Sequence, residues 1–137
     1  PDPHGRWAAT AITAALSDAG LDASDIQYVT AHGTSTKAND RTESQAILTV
    51  FPTPPAVSSI KSMLGHTLGA AGAIEAAATA LTLALGVVPP TINFETPDDE
   101  CPLDVVPNTA RELRVDAAIS NSFGFGGQNG VLAFRRI

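Results

Sequence analysis

The stretch Ser58 to Glu75, SSIKSMLGHTLGAAGAIE, constrains this chain more than any other. A lysine and a histidine stand five residues apart, and small residues surround the histidine. Gly65, Gly69 and Gly72 alternate with Ala70, Ala71 and Ala73. Backbone this bare can approach another backbone or a ligand closely. The alanine-rich continuation predicts a helix that starts just after His66 and runs to about Leu85. Ile74, Ala78, Leu81 and Leu85 mark one face of it, and alanines fill most others, so the helix is expected between layers.

The remaining segments surround that stretch with alternating helices and strands. Trp7 to Ala19 carries apolar residues at helical spacing, with Trp7, Ala11, Ala15 and Leu16 on one face. Gly20 is placed to end that helix, and Leu21 to fold back on its last turn. Ile26 to Ala31 is β-branched and reads as a strand. A polar loop, HGTSTKAN, follows, and Asp40 opens a second helix to about Val50, with Asp40-x-x-Glu43 as a capping box. Three prolines between Phe51 and Pro55 end it. Ala56 to Ile60 is a second short strand. Val87 to Cys101 is a long connection with an acidic run, Asp98-Asp99-Glu100. Leu103 to Val106 reads as an edge strand, and Ala117 to Ser122 and Val131 to Arg135 as two more. The pattern is a layered α/β arrangement with central strands buried on both faces. The irregular stretch from Val87 to Ala117 is long for so small a domain and is suited to wrapping a partner surface.

Size and charge narrow the function classes. At 137 residues the chain is one domain's worth, with 44% apolar and 16% charged residues. A net charge of −6 argues against a nucleic-acid phosphate binder. The single cysteine excludes an internal disulfide framework and fits a reducing cytoplasm. The longest apolar run, Leu81 to Val88, is too short to span a bilayer, and no secretory signal pattern opens the chain. A start at Pro-Asp-Pro without methionine suggests a processed, truncated or split polypeptide.

Few residues are placed for chemistry. His4 stands in a proline-rich start with no chemical context. His32 directly follows a buried strand, at the end where open α/β sheets carry their ligands, and is either a site residue or a turn histidine. His66 either caps its own helix or serves as a neutral donor. A helix N-terminus and the nearby Lys61 ammonium both disfavour an imidazolium there. Lys61 needs an acidic partner if buried, and Glu43 and Glu75 are the candidates. The Phe123-to-Gly130 turn fails as a dinucleotide fingerprint, because Asn129 stands where a third glycine is required and a strand follows. No metal-ligand spacing is present. Cys101, beside acids, makes a poor nucleophile.

Four segments together carry a resemblance: His32-Gly-Thr-Ser-Thr36, Ser58 to Gly72, Val88-Pro-Pro-Thr-Ile-Asn93 and Asn121-Ser-Phe-Gly-Phe-Gly-Gly127. In that order they are similar to the C-terminal half of a β-ketoacyl-acyl-carrier-protein synthase, over nearly the whole chain. The resemblance implies a thiolase-like α/β fold, with two related five-stranded halves stacked α-β-α-β-α and residues 1–137 as the C-terminal domain. It implies decarboxylative Claisen condensation in fatty-acid or polyketide biosynthesis. No cofactor is implied; substrates ride on the phosphopantetheine arm of acyl carrier protein. His32 and His66 match the two histidines that stabilise the thioester oxygen. Lys61 matches the lysine that orders the site, and Glu43 its acidic partner. Asp40 and Glu75 match further acids of the network. Thr34 and Thr36 match the phosphopantetheine-binding threonines. Phe125, with Gly126 and Phe123 around it, matches the gating and oxyanion turn.

The family's nucleophilic cysteine belongs to the N-terminal half, in a motif this chain lacks. The implied partners are therefore that half, acyl carrier protein, and a second ketosynthase unit in a homo- or heterodimer, with no nucleic acid and no membrane. The alternative is a non-catalytic subunit, like a chain-length factor, that completes a heterodimer or docks the carrier protein. The segments around Lys37-Ala-Asn-Asp40 and Lys61 lean towards bacterial type II polyketide synthases, with fatty-acid elongation enzymes close.

Overall fold

Tyr28–Thr30 (β1) is the middle strand of a five-stranded sheet, and all three of its residues are buried. The computed structural model describes residues 2–137. On one side of β1 lie β2 (Ala56–Ser58) and then β4 (Asp104–Val105); on the other lie β6 (Ala117–Phe123) and β7 (Asn129–Arg135). The first four of these strands are parallel, and β7 returns antiparallel to β6. The expected edge strand at Leu103 to Val106 is there, shortened. A separate two-stranded ribbon pairs β3 (Val87–Val88) with β5 (Arg111–Glu112). The segment between them folds back on its own chain: Thr91 bridges to Pro107, and the Val106 N–H donates to the Val57 carbonyl at 2.9 Å.

Side chains alternate across the parallel strands. Val29, Val57 and Ile119 share one register row and pack against α1 (Arg6–Ala19) and α2 (Lys37–Val50), with Ile12, Leu16, Ile47 and Phe51 completing that core. Tyr28, Ala56 and Ala118 share the next row and belong to a second core with Leu83, Val88, Val106 and Val115, under α4 (Ala71–Leu85). The row after that is polar: Thr30, Ser58 and Ser120, all buried. The Tyr28 and Ser58 hydroxyls lie 2.8 Å apart, and Thr30 Oγ1 meets Thr79 Oγ1 of α4 at 2.7 Å.

Several boundaries differ from the sequence reading. Helix α1 ends as expected at Gly20, in the left-handed conformation at φ 61°, with the Leu21 N–H donating to the Leu16 carbonyl at 3.0 Å. Its inward face, however, is Ala8, Ala9, Ile12 and Leu16, and Trp7 is 65% exposed. The small alanines let α1 lie close to the sheet, a pattern that ranking by bulk misses. Helix α2 begins three residues before Asp40, capped by Thr36, whose Oγ1 accepts the Asn39 N–H at 3.4 Å. Glu43 completes no capping box, because its carboxylate is used elsewhere.

The helix after Ser58 is broken. One turn, α3 (Lys61–Leu64), stops at Gly65, whose φ of 75° and ψ of 178° suit glycine alone. A 3-10 turn, Leu68–Ala70, precedes α4. Helix α4 also faces the opposite way from the expectation: Ala71, Glu75, Thr79, Thr82 and Leu83 are buried, whereas Leu81 and Leu85 are exposed and Ile74 lies at the margin. Leu68–Leu85 has a mean hydropathy of 1.6, long and apolar enough by composition to cross a membrane. In this fold its polar residues instead turn inward to the sheet.

The orientation of α1 gives a direct test. Ile12→Ala removes a side chain with no exposed surface and is expected to cost about 2–5 kcal/mol. Trp7→Ala, despite its larger volume, is expected to change stability by about 0.5 kcal/mol or less. Urea unfolding midpoints of the two variants measure the contrast.

Candidate active site

The chain leaves β1 through Ala31 and places His32 at the C-terminal end of the sheet, where His32 is 8% exposed. Gly33 follows with φ +40°, and a Cβ there would lie 2.5 Å from the Ser59 Cβ, so the loop requires glycine. The Ser59 hydroxyl donates to the Gly33 carbonyl at 2.8 Å, tying this loop to the end of β2.

Glu43 reaches the same loop from α2, fully buried. Its Oε1 accepts the His32 N–H at 2.8 Å and Asn121 Nδ2 at 3.0 Å. Its Oε2 accepts the Gly33 N–H at 2.9 Å and Asn39 Nδ2 at 3.4 Å. Burial pushes this carboxyl above the usual range, and the four N–H groups pull against that rise. Among the described residues, no lysine or arginine pairs with it.

Lys61 is buried at the start of α3. Its ammonium pairs with Glu75 Oε1 of α4, not with Glu43. This corrects the assignment of Glu43 as the lysine's partner: both Glu43 oxygens are already occupied by N–H groups of the His32–Gly33 loop, Asn121 and Asn39, and Glu75 is the acid that α4 turns inward. Burial raises the Glu75 pKa, with the Lys61 hydrogen bond opposing it. Lys61 Nζ also lies 3.4 Å from His32 Nδ1. An ammonium only donates, so Nδ1 accepts and the neutral ring keeps its proton on Nε2. Burial first, then Lys61, then His66 lower the His32 pKa from 6.5 to about 4.

His66 stands exposed between the 3-10 turn and α3, not at the start of a long helix. Its Nδ1 accepts the Leu68 N–H at 3.2 Å, so its neutral form also carries the proton on Nε2. The two imidazole centroids are 5.4 Å apart at 84°. Each imidazole of this neighbouring pair thus has an Nε2–H as its remaining donor, a donor type that can stabilise negative charge on an oxygen.

The other expected positions differ in how closely they join this pair. Phe123 packs its ring 5.8 Å from that of His32. Phe125 is 98% exposed, in a turn where Gly126 has φ 79°. Thr34 and Thr36 bring their hydroxyls within 3.0 Å of each other. An open cleft of about 770 Å³ runs from Lys61 and His66 past Gly33 and Thr34 to Asn93 and Phe94. Asp40 lines it and accepts Asn39 Nδ2 at 3.0 Å. Cys101 also lines it, but burial and the nearby Asp98, Asp40 and Glu100 push its thiol up. Among the described residues, no three His, Cys, Asp or Glu side chains cluster to hold a metal ion. Sequence reasoning missed the two asparagines on Glu43. The available signals were the helical i, i+4 spacing of Asn39 and Glu43, and the position of Asn121 late in a buried strand.

The β-ketoacyl synthase C-terminal domain model matches residues 1–95. The 3-oxoacyl-[acyl-carrier-protein] synthase 2 of Synechocystis sp. is 55% identical over 139 aligned positions, covering 99% of this chain and 33% of that protein. A β-ketoacyl synthase structure from Burkholderia phymatum superposes with a TM-score of 0.95 at 45% identity, over 98% of this chain and 33% of that one. The AntDE:AntF structure, a type II polyketide synthase acyl carrier protein in complex with its ketosynthase bound to the hexaketide, gives a TM-score of 0.94 at 39% identity. It covers 100% of this chain and 34% of the other. The chain spans about a third of the length of the relatives it matches. Its sheet and helices form the C-terminal half of the thiolase-like ketosynthase fold, and the chain belongs to the β-ketoacyl synthase family.

Proposed function

We propose that this chain supplies the oxyanion-stabilising half of a ketosynthase that condenses an acyl thioester with malonyl-acyl carrier protein. The observation that carries this reading is the adjacent pair of imidazoles, each accepting at Nδ1 and each with Nε2–H as its remaining donor. In the first step the malonyl C–C bond to the carboxylate breaks and carbon dioxide leaves. The electron pair enters the thioester as an enolate, with the charge on oxygen. Two N–H donors held at that oxygen lower the barrier without giving up a proton. The enolate carbon then attacks the acyl thioester, forms the new C–C bond and expels the enzyme's thiolate. That thiolate comes from a cysteine outside these residues, since the sole cysteine, Cys101, has its thiol pushed up.

The same reading has the malonyl phosphopantetheine arm lie along the cleft, past Thr34, whose hydroxyl is backed by that of Thr36. Acyl carrier protein is the docking partner, and Phe125 with its flanking glycines is the gate. It also explains the bare side of α4. Ile74, Leu81 and Leu85 recur at helical spacing and face away from this chain's own core, and Leu68, in the turn before α4, is 70% exposed. The N-terminal ketosynthase half is the proposed cover. Retention of both histidines and of Lys61 speaks for a catalytic subunit over a chain-length-factor role.

Three outcomes test this reading in the protein assembled with its N-terminal half. His32→Ala and His66→Ala are each expected to lower turnover about 10²–10³-fold, read as malonyl decarboxylation and condensation. Turnover at the parent rate would exclude the oxyanion role.

The second outcome is pH dependence. His32 is neutral in the fold with a pKa near 4, below its ordinary 6.5. The unfolded chain therefore binds more protons, and stability falls as pH drops from 6.5 towards 4. The acidic limb of activity due to His32 follows its folded pKa. Lys61→Met removes one of the causes that lower it, so that limb moves to higher pH in a pH–rate profile.

The third is assembly. Leu81→Glu, on the outward face of α4, is expected to abolish one-to-one association with the N-terminal half in size-exclusion chromatography. The same substitution should leave the circular dichroism of this chain unchanged.

A further inference from the structure

Asn39, the third residue of α2, is half-buried, and its side chain lies between two carboxylates. Its Nδ2 is 3.0 Å from Asp40 Oδ1 and 3.4 Å from Glu43 Oε2. Both neighbours are acceptors, so the amide must present its nitrogen to them, with one N–H for each. Without that bridge the two acids, three positions apart on one helix, face each other as like charges. Among the described residues, no cation holds Glu43. Its orientation rests on four N–H groups, and two of those are the backbone of His32 and Gly33. The other side-chain donor, Asn121, is fully buried in β6, whereas Asn39 is partly open and can be changed without cutting into the core.

We propose that Asn39 is a positioning residue for His32. It separates Asp40 from Glu43 and fixes the carboxylate that holds the His32–Gly33 backbone, so that the imidazole keeps its register against Lys61 and His66. This inference rests on the oxyanion reading of the histidine pair. It adds to that reading a residue that touches neither substrate nor imidazole.

The test uses the assembled synthase, with kcat and KM for malonyl-acyl carrier protein measured on Asn39→Ala, Asn39→Asp and the reference His66→Ala. Asn39→Ala is expected to lower kcat about three- to tenfold, the worth of one hydrogen bond, with KM within about twofold of the parent. Asn39→Asp is expected to lower kcat further, because it puts a third carboxylate between Asp40 and Glu43. The aspartate is the informative variant. An acid in the first turn of a helix favours the helix, so a purely structural Asn39 predicts that Asn39→Asp is neutral or raises Tm, with kcat unchanged. Parent-like kcat in Asn39→Asp, or equal kcat in all three forms at position 39, overturns the proposal while a loss of turnover in His66→Ala leaves the oxyanion reading standing. His66→Ala at the parent rate overturns that reading, and the Asn39 proposal with it.

Discussion

The Glu43 carboxylate is the interaction on which the site depends. A carboxylate removed from water without a cation costs several kcal/mol unless its lone pairs are filled. Here they are filled by N–H groups from three places at once: the His32–Gly33 backbone, Asn39 of α2 and Asn121 of β6. The charge therefore gathers the end of β1, the first turns of α2 and the end of β6 around one point. Removing one donor loosens the hold on the carboxylate, but removing the carboxylate would leave the buried His32 N–H and the partly buried Gly33 N–H both unpaired. Such groups cost about 1–3 kcal/mol each. The geometry of His32 is thus set by its own backbone, before its ring meets any partner.

The second buried acid does a different job. Glu75 balances Lys61, and Lys61 in turn faces His32 Nδ1. Among the described residues, Glu75 Oε2 and Asn121 Oδ1 are buried without a hydrogen-bond partner, so the polar interior is not fully satisfied by this chain. The hydroxyl contacts Tyr28–Ser58 and Thr30–Thr79 extend the same polar zone along the sheet, the first joining β1 to β2 and the second anchoring β1 to α4. One acid orders backbone and the other sets charge. Their separation onto α2 and α4, on opposite faces of the sheet, keeps two carboxylates from sharing one lysine.

How far the sequence was legible depends on the period and the range of each signal. Strands Val29, Val57 and Ile119 were visible as short β-branched runs, and Gly20 as a helix end, because both are local. The layered α/β class followed from their alternation. The two histidines and Lys61 were singled out by motif, and the structure brings them together. The pairing of Lys61 was not legible, since Glu43 and Glu75 are both acids on helices and only the sheet between them decides. The inward face of α4 was misread for a physical reason. Hydrophobic periodicity finds the side that must be buried, and in α4 that side is Ile74, Leu81 and Leu85, which this chain alone leaves outside. The break at Gly65 was hidden because an alanine-rich run reads as continuous helix, whereas the backbone needs φ 75° there to swing His66 out.

Helix α4 therefore has two buried faces in prospect, and they serve different ends. Its polar face, with Glu75, Thr79 and Thr82, lies against the sheet and sets the charge of the site. Its apolar face is the side the N-terminal half would cover in the proposed assembly. That arrangement bears on the chemistry as well as on stability. His32 is already shielded, but His66 is exposed in this chain. A hydrogen bond to a developing oxyanion is weakened where water competes and the dielectric is high, and it strengthens in a dry site. Covering α4 and the adjacent Leu68 would exclude water from the ground next to His66. In the proposed assembly the N-terminal half would therefore contribute more than a cysteine. It would lower the dielectric around the second of the two proposed donors, so that the proposed oxyanion site would reach full strength only on assembly.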